Sequence, residues 1–308
     1  MPKAISPRHL ELDEIIADLR ELEAADPEAE YAIQENIAFF EAQRSVVKFA
    51  WWLVGRRRRL DVSRMLELSD FALPKWQSKL YEELARASRP EFPGLVRPLV
   101  DELIQLIEMH SGNQGGGIYL ASIGCGPMEI ERQLFERCRV LGIEQNLWIF
   151  GIDSSAMAFD CAAKNLASSG IDLCRQTDLR RRPKVPGVYF VQIDAEHFAH
   201  SWDGGNFSLL YHSRLLHHVP KGQRSELESH LRRICDSYIE YDDYQTAASL
   251  IGPIITAWRQ PVLLNGAVIS WTRDRGKVQL RSDYGDSVQF FNPPGAYLRV
   301  NSRTDPED

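Results

Sequence analysis

From residue 118 onward the chain is punctuated by short apolar runs, at 118–123, 147–152, 189–193, 207–211 and 238–241. Each is followed by a turn, and often by helix-like sequence. Strands alternating with helices in this way imply a parallel sheet with helices packed on both faces. This pattern narrows the fold more than anything else in the 308 residues. It predicts a doubly wound, mostly parallel α/β sheet.

The first 112 residues follow a helical period instead. Leu12, Ile15, Ile16, Leu19 and Leu22 recur at spacings of three and four, and Ile37, Phe40, Val47, Trp51 and Val54 extend the rule along a second, longer segment. Gly55 offers a stop, with Arg56 to Arg59 where a helix dipole favours cations. Pro74 can open another helix whose Trp76, Leu80 and Leu84 share a face. Val100, Leu103, Ile104 and Ile107 stripe the last, which ends at Ser111-Gly112 before a flexible joint at Gly115 to Gly117. The expected division is a helical region over 1–112 and an α/β domain over 113–308. In the tail, residues 267–273, 277–281, 287–291 and 296–300 read as strands.

Composition removes several function classes. A net charge of −7 argues against nucleic acid as the main partner, because phosphate binding needs a cationic surface. The runs at Arg56 to Arg59 and Arg180 to Lys184 read as a solvated helix end and a solvated loop. Five dispersed cysteines, with no CxxC and no close Cys–His grouping, read as reduced thiols and supply no zinc site. No metal is expected. The N-terminus turns acidic at once without an apolar core segment, and the longest apolar stretch, 49–54, is far short of the roughly 20 residues that span a bilayer. A cytoplasmic location is the expectation, with no membrane span.

The sharpest local signal is Leu120-Ala121-Ser122-Ile123-Gly124-Cys125-Gly126-Pro127. A buried strand enters a tight turn with two glycines one residue apart, which permits positive φ and close approach of a ligand to the backbone. The turn opens a candidate helix whose free N–H groups suit an anionic group. In a doubly wound sheet ligands bind at this end of the strands. A nicotinamide dinucleotide fingerprint needs a third glycine where this chain has Glu129, whose carboxylate would repel a pyrophosphate.

With these features in order, residues 118–244 resemble the class I S-adenosylmethionine-dependent methyltransferases, a Rossmann-like family. In that family the glycine turn, here Ile123-Gly124-Cys125-Gly126-Pro127, wraps the methionine part of the cofactor. The resemblance implies that Asp153, followed by Ser154, accepts the ribose hydroxyls. It implies that Asp194, followed by Ala195, lies near the adenine amino group, and that the strand ending Tyr211-His212-Ser213 places His212 beside the cofactor. Asp153 also suits a helix N-cap, which Ser154 or Ser155 could supply instead, and Asp194 also suits a turn. The chain departs from the family in having Ser122 where an acid is usual and Met128 in place of a third glycine. The second and third expected strands are separated by a longer stretch than usual, containing Arg180-Arg181-Arg182-Pro183-Lys184, which reads as an inserted loop.

The resemblance implies methyl transfer from S-adenosylmethionine to a small-molecule acceptor bound between the cofactor, the loops after the fourth and fifth strands, and the N-terminal helices. Such a displacement needs alignment and exclusion of water more than a fixed catalytic group. His217, in Leu216-His217-His218, is of a type that titrates near neutrality and could deprotonate an acceptor, but packing against the helix after the fourth strand is the favoured reading. Glu240, Tyr241 and Asp242 end the fifth strand and could face the substrate. Tyr211 and Phe198 are candidate aromatic neighbours of a sulfonium. Aminocarboxypropyl transfer of the nicotianamine synthase type, a non-catalytic binding role and a nicotinamide oxidoreductase are the competing readings.

Overall fold

The computed structural model describes residues 7–25, 29–56, 74–88, 96–113, 116–216, 218–219, 221–244, 258, 260–262, 264–265, 268, 276–291 and 296–302. By internal contacts the chain divides into two compact units, 1–80 with 250–273 and 81–249 with 274–308.

The first unit holds α1 (Pro7–Ala25), α2 (Glu30–Ala42), α3 (Val46–Arg56) and the first half of α4 (Pro74–Ala87), which crosses the division. The apolar stripe of α1, Leu12, Ile15, Ile16 and Leu19, is buried against Ile33, Ile37 and Phe40 of α2. Burying each such side chain contributes about 1.5–3 kcal/mol. The single longer helix expected over 37–54 is broken at residues 43–45 into α2 and α3. The break lets Phe39, Phe49 and Trp52 meet as one ring cluster, with centroids 5.3–6.1 Å apart. The Trp76 indole of α4 donates to Asp18 at 2.7 Å, so its polar edge is satisfied as its ring is buried. Of the basic run, Arg57 to Arg59 lie outside the described residues.

The second unit is an eight-stranded sheet. Its strands are β1 (Ile118–Ile123), β2 (Leu147–Asp153), β3 (Leu173–Arg175), β4 (Gly187–Gln192), β5 (Phe207–Ser213), β6 (Cys235–Asp243), β7 (Val288–Phe291) and β8 (Ala296–Ser302), in the order β3-β4-β2-β1-β5-β6-β8-β7. The first six are parallel; β8 pairs antiparallel with β6 and with β7. Alternation along each strand sends side chains to opposite faces. Leu120, Ile149 and Leu209 pack under α5 (Arg97–Asn113), α6 (Glu129–Leu141) and α7 (Ala156–Ala167), whereas Ala121, Phe150 and Leu210 pack under α8 (Ala195–Ser201) and α9 (Lys221–Arg233). All five expected strands are present, and the sheet is covered on both faces.

Three tail and loop expectations change. Residues 277–281 are helical, within α10 (Lys277–Tyr284), not a strand. The alternation of Val278 and Leu280 mimicked a strand, but Val278 is 84% exposed and Leu280 is the buried member. Lys, Gln, Leu and Arg are all good helix formers. The long stretch between the second and third expected strands is not all loop, since it contains the edge strand β3, and Arg182 is not simply solvated: its guanidinium lies 3.8 Å from the Tyr119 ring centroid. Of residues 267–273 only Val268 is described, and it is helical. No described helix is long and apolar enough to cross a membrane.

Candidate functional site

The strand order reverses at β1, whose neighbours β2 and β5 lead away in opposite directions. Such a reversal opens a crevice beyond the carboxyl ends of the strands. The glycine turn sits there. Ile123 is buried at the end of β1, and Gly124 and Gly126 take φ of 67° and 51°, which a side chain resists. The amides of Gly124 and Cys125 both bond the Ile152 carbonyl, at 2.8 and 3.1 Å, which fixes the turn against β2. Pro127 is buried, and its carbonyl accepts from Asn165 at 3.1 Å.

Met128, directly after the turn, adopts φ 55°, a left-handed conformation that residues other than glycine rarely take. Its side chain is fully buried, and Gly151 of β2 makes the space. A Cβ at Gly151 would lie 2.6 Å from Met128 Cε and 2.9 Å from Cys125 Sγ. We therefore expect Gly151→Ala to push on the turn from below and lower the unfolding free energy by about 1–3 kcal/mol, measurable by urea denaturation.

Asp153 closes the site. One carboxylate oxygen accepts from the Gly126 amide at 3.0 Å and the other from the Ser155 amide at 2.9 Å. It thereby ties the glycine turn to the β2–α7 turn. Burial pushes its pKa above the ordinary carboxylate value, against the pull of these two amides and of nearby His218. Ser155, not Asp153, is the N-cap of α7, through an Ala158 amide bond, and Ser154 is exposed beside it.

Asp194 caps α8, accepting from the His197 amide at 2.9 Å and pairing with its ring at 2.6 Å, and Ala195 begins that helix. Burial works against the ionised form of Asp194, but the His197 bonds prevail and its pKa is lowered. His212 is fully buried, with its ring nitrogen 2.8 Å from the Tyr238 hydroxyl, so its side chain is engaged in the core. Tyr241 is likewise buried among core residues, and burial raises its phenol pKa, which keeps it protonated. Glu240 and Asp242 are also buried. Tyr211 and Phe198 are both core residues. His217 lies outside the described residues. The Cys125 thiol is held protonated, by burial first and then by the charges of Asp153 and Glu131. Glu129 forms an ion pair with Arg132 and accepts from Asn165 at 2.9 Å. Among the described residues no group of acidic, His or Cys side chains could hold a metal ion.

Two residues of the site were not among those expected from sequence. Tyr81 of α4 lies over the turn, 3.7 Å from where a Gly126 Cβ would stand, with its phenol toward Ser155 and Asp153. Nothing in its helical register marks it out. Glu131 of α6 is buried under the turn, 1% exposed, and Tyr211 donates to its carboxylate. Its spacing with the buried Leu134 and Cys138, at i, i+3 and i+7, was a legible sign of a carboxylate on a core stripe.

No protein-family model and no curated protein matches the sequence. Among solved structures, the chain is similar to an O-methyltransferase family protein from Burkholderia thailandensis (14% identity, 88% of this chain and 72% of that one, TM-score 0.49). It is also similar to magnesium protoporphyrin IX methyltransferase from Synechocystis PCC 6803 with bound S-adenosylmethionine (12% identity, 80% and 99%, TM-score 0.44). The observed sheet reverses at β1, carries a glycine turn and a strand-end acid at the reversal, and ends in an antiparallel β7–β8 pair beside β6. The chain has a Rossmann-like, doubly wound and mostly parallel α/β fold.

Proposed function

We propose that this protein transfers a methyl group from S-adenosylmethionine to a small-molecule acceptor. The observation that carries the reading is the Asp153 carboxylate, held by two backbone amides at the end of β2 against a glycine turn at the reversal of strand order. The residues fit the cofactor: Gly124 is exposed backbone at positive φ, open to close approach, and Asp153 can accept from vicinal ribose hydroxyls. Gly124, Cys125, Gly126 and Pro127 are assigned to the methionine part, Asp153 and Ser154 to the ribose, and Asp194 and Ala195 to the adenine side.

When bound, the cofactor supplies a carbon already activated by its sulfonium. The chain's own work is then to align and dehydrate. The Tyr81 ring over Gly126 shields the turn from water and offers an aromatic face to a cation. Tyr241, kept protonated, is suited to donating a hydrogen bond rather than taking a proton. His217 remains the proposed base for an acceptor that needs one. Tyr81 of α4 is assigned to the acceptor side.

Calorimetric titration with S-adenosylhomocysteine beside a nicotinamide dinucleotide tests the reading: micromolar binding of the first alone is expected, and no binding overturns it. Mass spectrometry of products separates methyl from aminocarboxypropyl transfer.

A pH dependence follows from Asp153. Ribose hydroxyls bond its ionised form, so affinity for S-adenosylhomocysteine should fall as pH drops through its raised pKa, beginning above the ordinary carboxylate range. The sign for stability is opposite. A carboxylate whose folded pKa is raised favours the fold below that pKa and loses the contribution as pH rises through it. With respect to this group, weakened binding in acid is therefore not unfolding. Titrations at descending pH, with circular dichroism alongside, would show this; affinity unchanged down to the ordinary range counts against the role of Asp153.

A further inference from the structure

Beside the glycine turn lies a buried polar cluster of Glu131, Ser122 and Tyr211. Glu131 is 1% exposed, Ser122 2% and Tyr211 fully buried. The Tyr211 hydroxyl donates to Glu131 Oε1, and the Ser122 side chain also faces the carboxylate. Glu131 Oε2 is wholly buried and makes no hydrogen bond among the described residues. Burial opposes ionisation of Glu131, more than these hydroxyls favour it. A buried acceptor without a donor is costly, so such a group calls for an explanation, and a ligand that completes it is one. Glu131 lies in the first turn of α6, directly after the glycine turn, and its charge is felt by Cys125 within that turn, so the carboxylate lies beside the turn. By contrast, the neighbouring Glu129 is satisfied by Arg132 and Asn165.

We infer that Glu131, oriented by Tyr211 and Ser122, is the subsite for the ammonium group of the bound cofactor. The inference rests on the S-adenosylmethionine reading of the turn. Of that molecule's two cationic centres the sulfonium has no N–H or O–H to give, whereas the ammonium has three hydrogens. Only the ammonium can both neutralise the carboxylate and complete Oε2. The short hydroxyl at Ser122 fits this arrangement. A carboxylate at the end of β1 would stand against Glu131, and two like charges in one buried pocket repel. The acid is carried on α6 in this chain, and the strand position is correspondingly neutral.

The test uses the full chain and two ligands, S-adenosylhomocysteine and its analogue lacking only the amino group, titrated into wild type and Glu131→Gln. Wild type should prefer the amino-bearing ligand by about 10- to 100-fold, as expected for a charge-assisted hydrogen bond. Glu131→Gln should remove that preference by weakening S-adenosylhomocysteine alone. Equal wild-type affinities, or a preference that survives in Glu131→Gln, overturn the inference and leave the cofactor reading standing. Failure of wild type to bind S-adenosylhomocysteine at all overturns both. If the glutamine variant does not fold, Tyr211→Phe serves in its place, because it withdraws the hydroxyl that orients the carboxylate. A reduced preference in that variant supports the subsite, and an unchanged one overturns it.

Discussion

Asp153→Ala is expected to weaken S-adenosylhomocysteine binding by about 100-fold or more, since charge-assisted hydrogen bonds contribute about 1.5–3 kcal/mol each and the ribose offers two. The carboxylate is also what joins the Gly126 amide to the Ser155 amide. Some of the loss will therefore come from a less ordered turn, and Asp153→Asn, which keeps one acceptor, should fall between wild type and alanine. The fold should survive both changes. Burial raises the pKa of this carboxylate, so at neutral pH its charge opposes folding, and removing it relieves that cost in exchange for the two amide bonds it accepts from Gly126 and Ser155. Calorimetry for affinity and thermal melting for the fold separate the two effects. Affinity unchanged in Asp153→Ala would sink the assignment of the ribose contact.

The largest effect on stability is expected at the opposite side of β6. Arg299 of β8, 2% exposed, donates to fully buried Glu240 at 2.9 Å and also to Glu228 of α9. Its guanidinium lies 3.8 Å from the Tyr284 ring centroid, and Tyr297 donates to Glu240 from the same strand. This network seats the antiparallel β7–β8 pair on the parallel sheet. Arg299→Met should lower the unfolding free energy of the α/β unit by about 3–5 kcal/mol, because Glu240 keeps its burial and loses its cation. Adding Glu240→Leu should recover much of that loss, since a buried ion pair gains little over an apolar pair of similar volume. Urea denaturation of the two variants reads both numbers. An additive double variant would mean that the two residues act separately.

The contrast between these two acids shows which parts of the molecule were legible in sequence. Asp153 stood out because it ends an apolar run one strand after a glycine turn, and that order is a property of the chain. Glu240 sits in an equally apolar run, yet its partner Arg299 is 59 residues away. No local pattern announces that pairing. His212 illustrates the same limit from the other direction. Its place at the end of the fourth expected strand was read correctly, but strand alternation turned its ring toward Tyr238, a direction set by register. Tyr81 and Gly151 were missed because their importance lies in what they face: the turn, in one case from above and in the other from below.

In the tail, the strands expected at 287–291 and 296–300 are present as β7 and β8, while 277–281 differs for a related reason. Residues 277–281 alternate as a strand would, over too few positions for alternation to decide against helix propensity. What the sequence determined alone was the class of fold, the five parallel core strands and their helices, and the position of the glycine turn with its strand-end acid. All of these follow from short-range periodicity and from backbone conformations that few residues can adopt. What only the tertiary structure decided was the edge strand β3, the seating of β7 and β8, the left-handed Met128 after the glycine turn, and the buried Glu131 beside that turn. Each depends on contacts between residues distant in the chain, where packing and the need to satisfy buried polar groups outweigh any local preference.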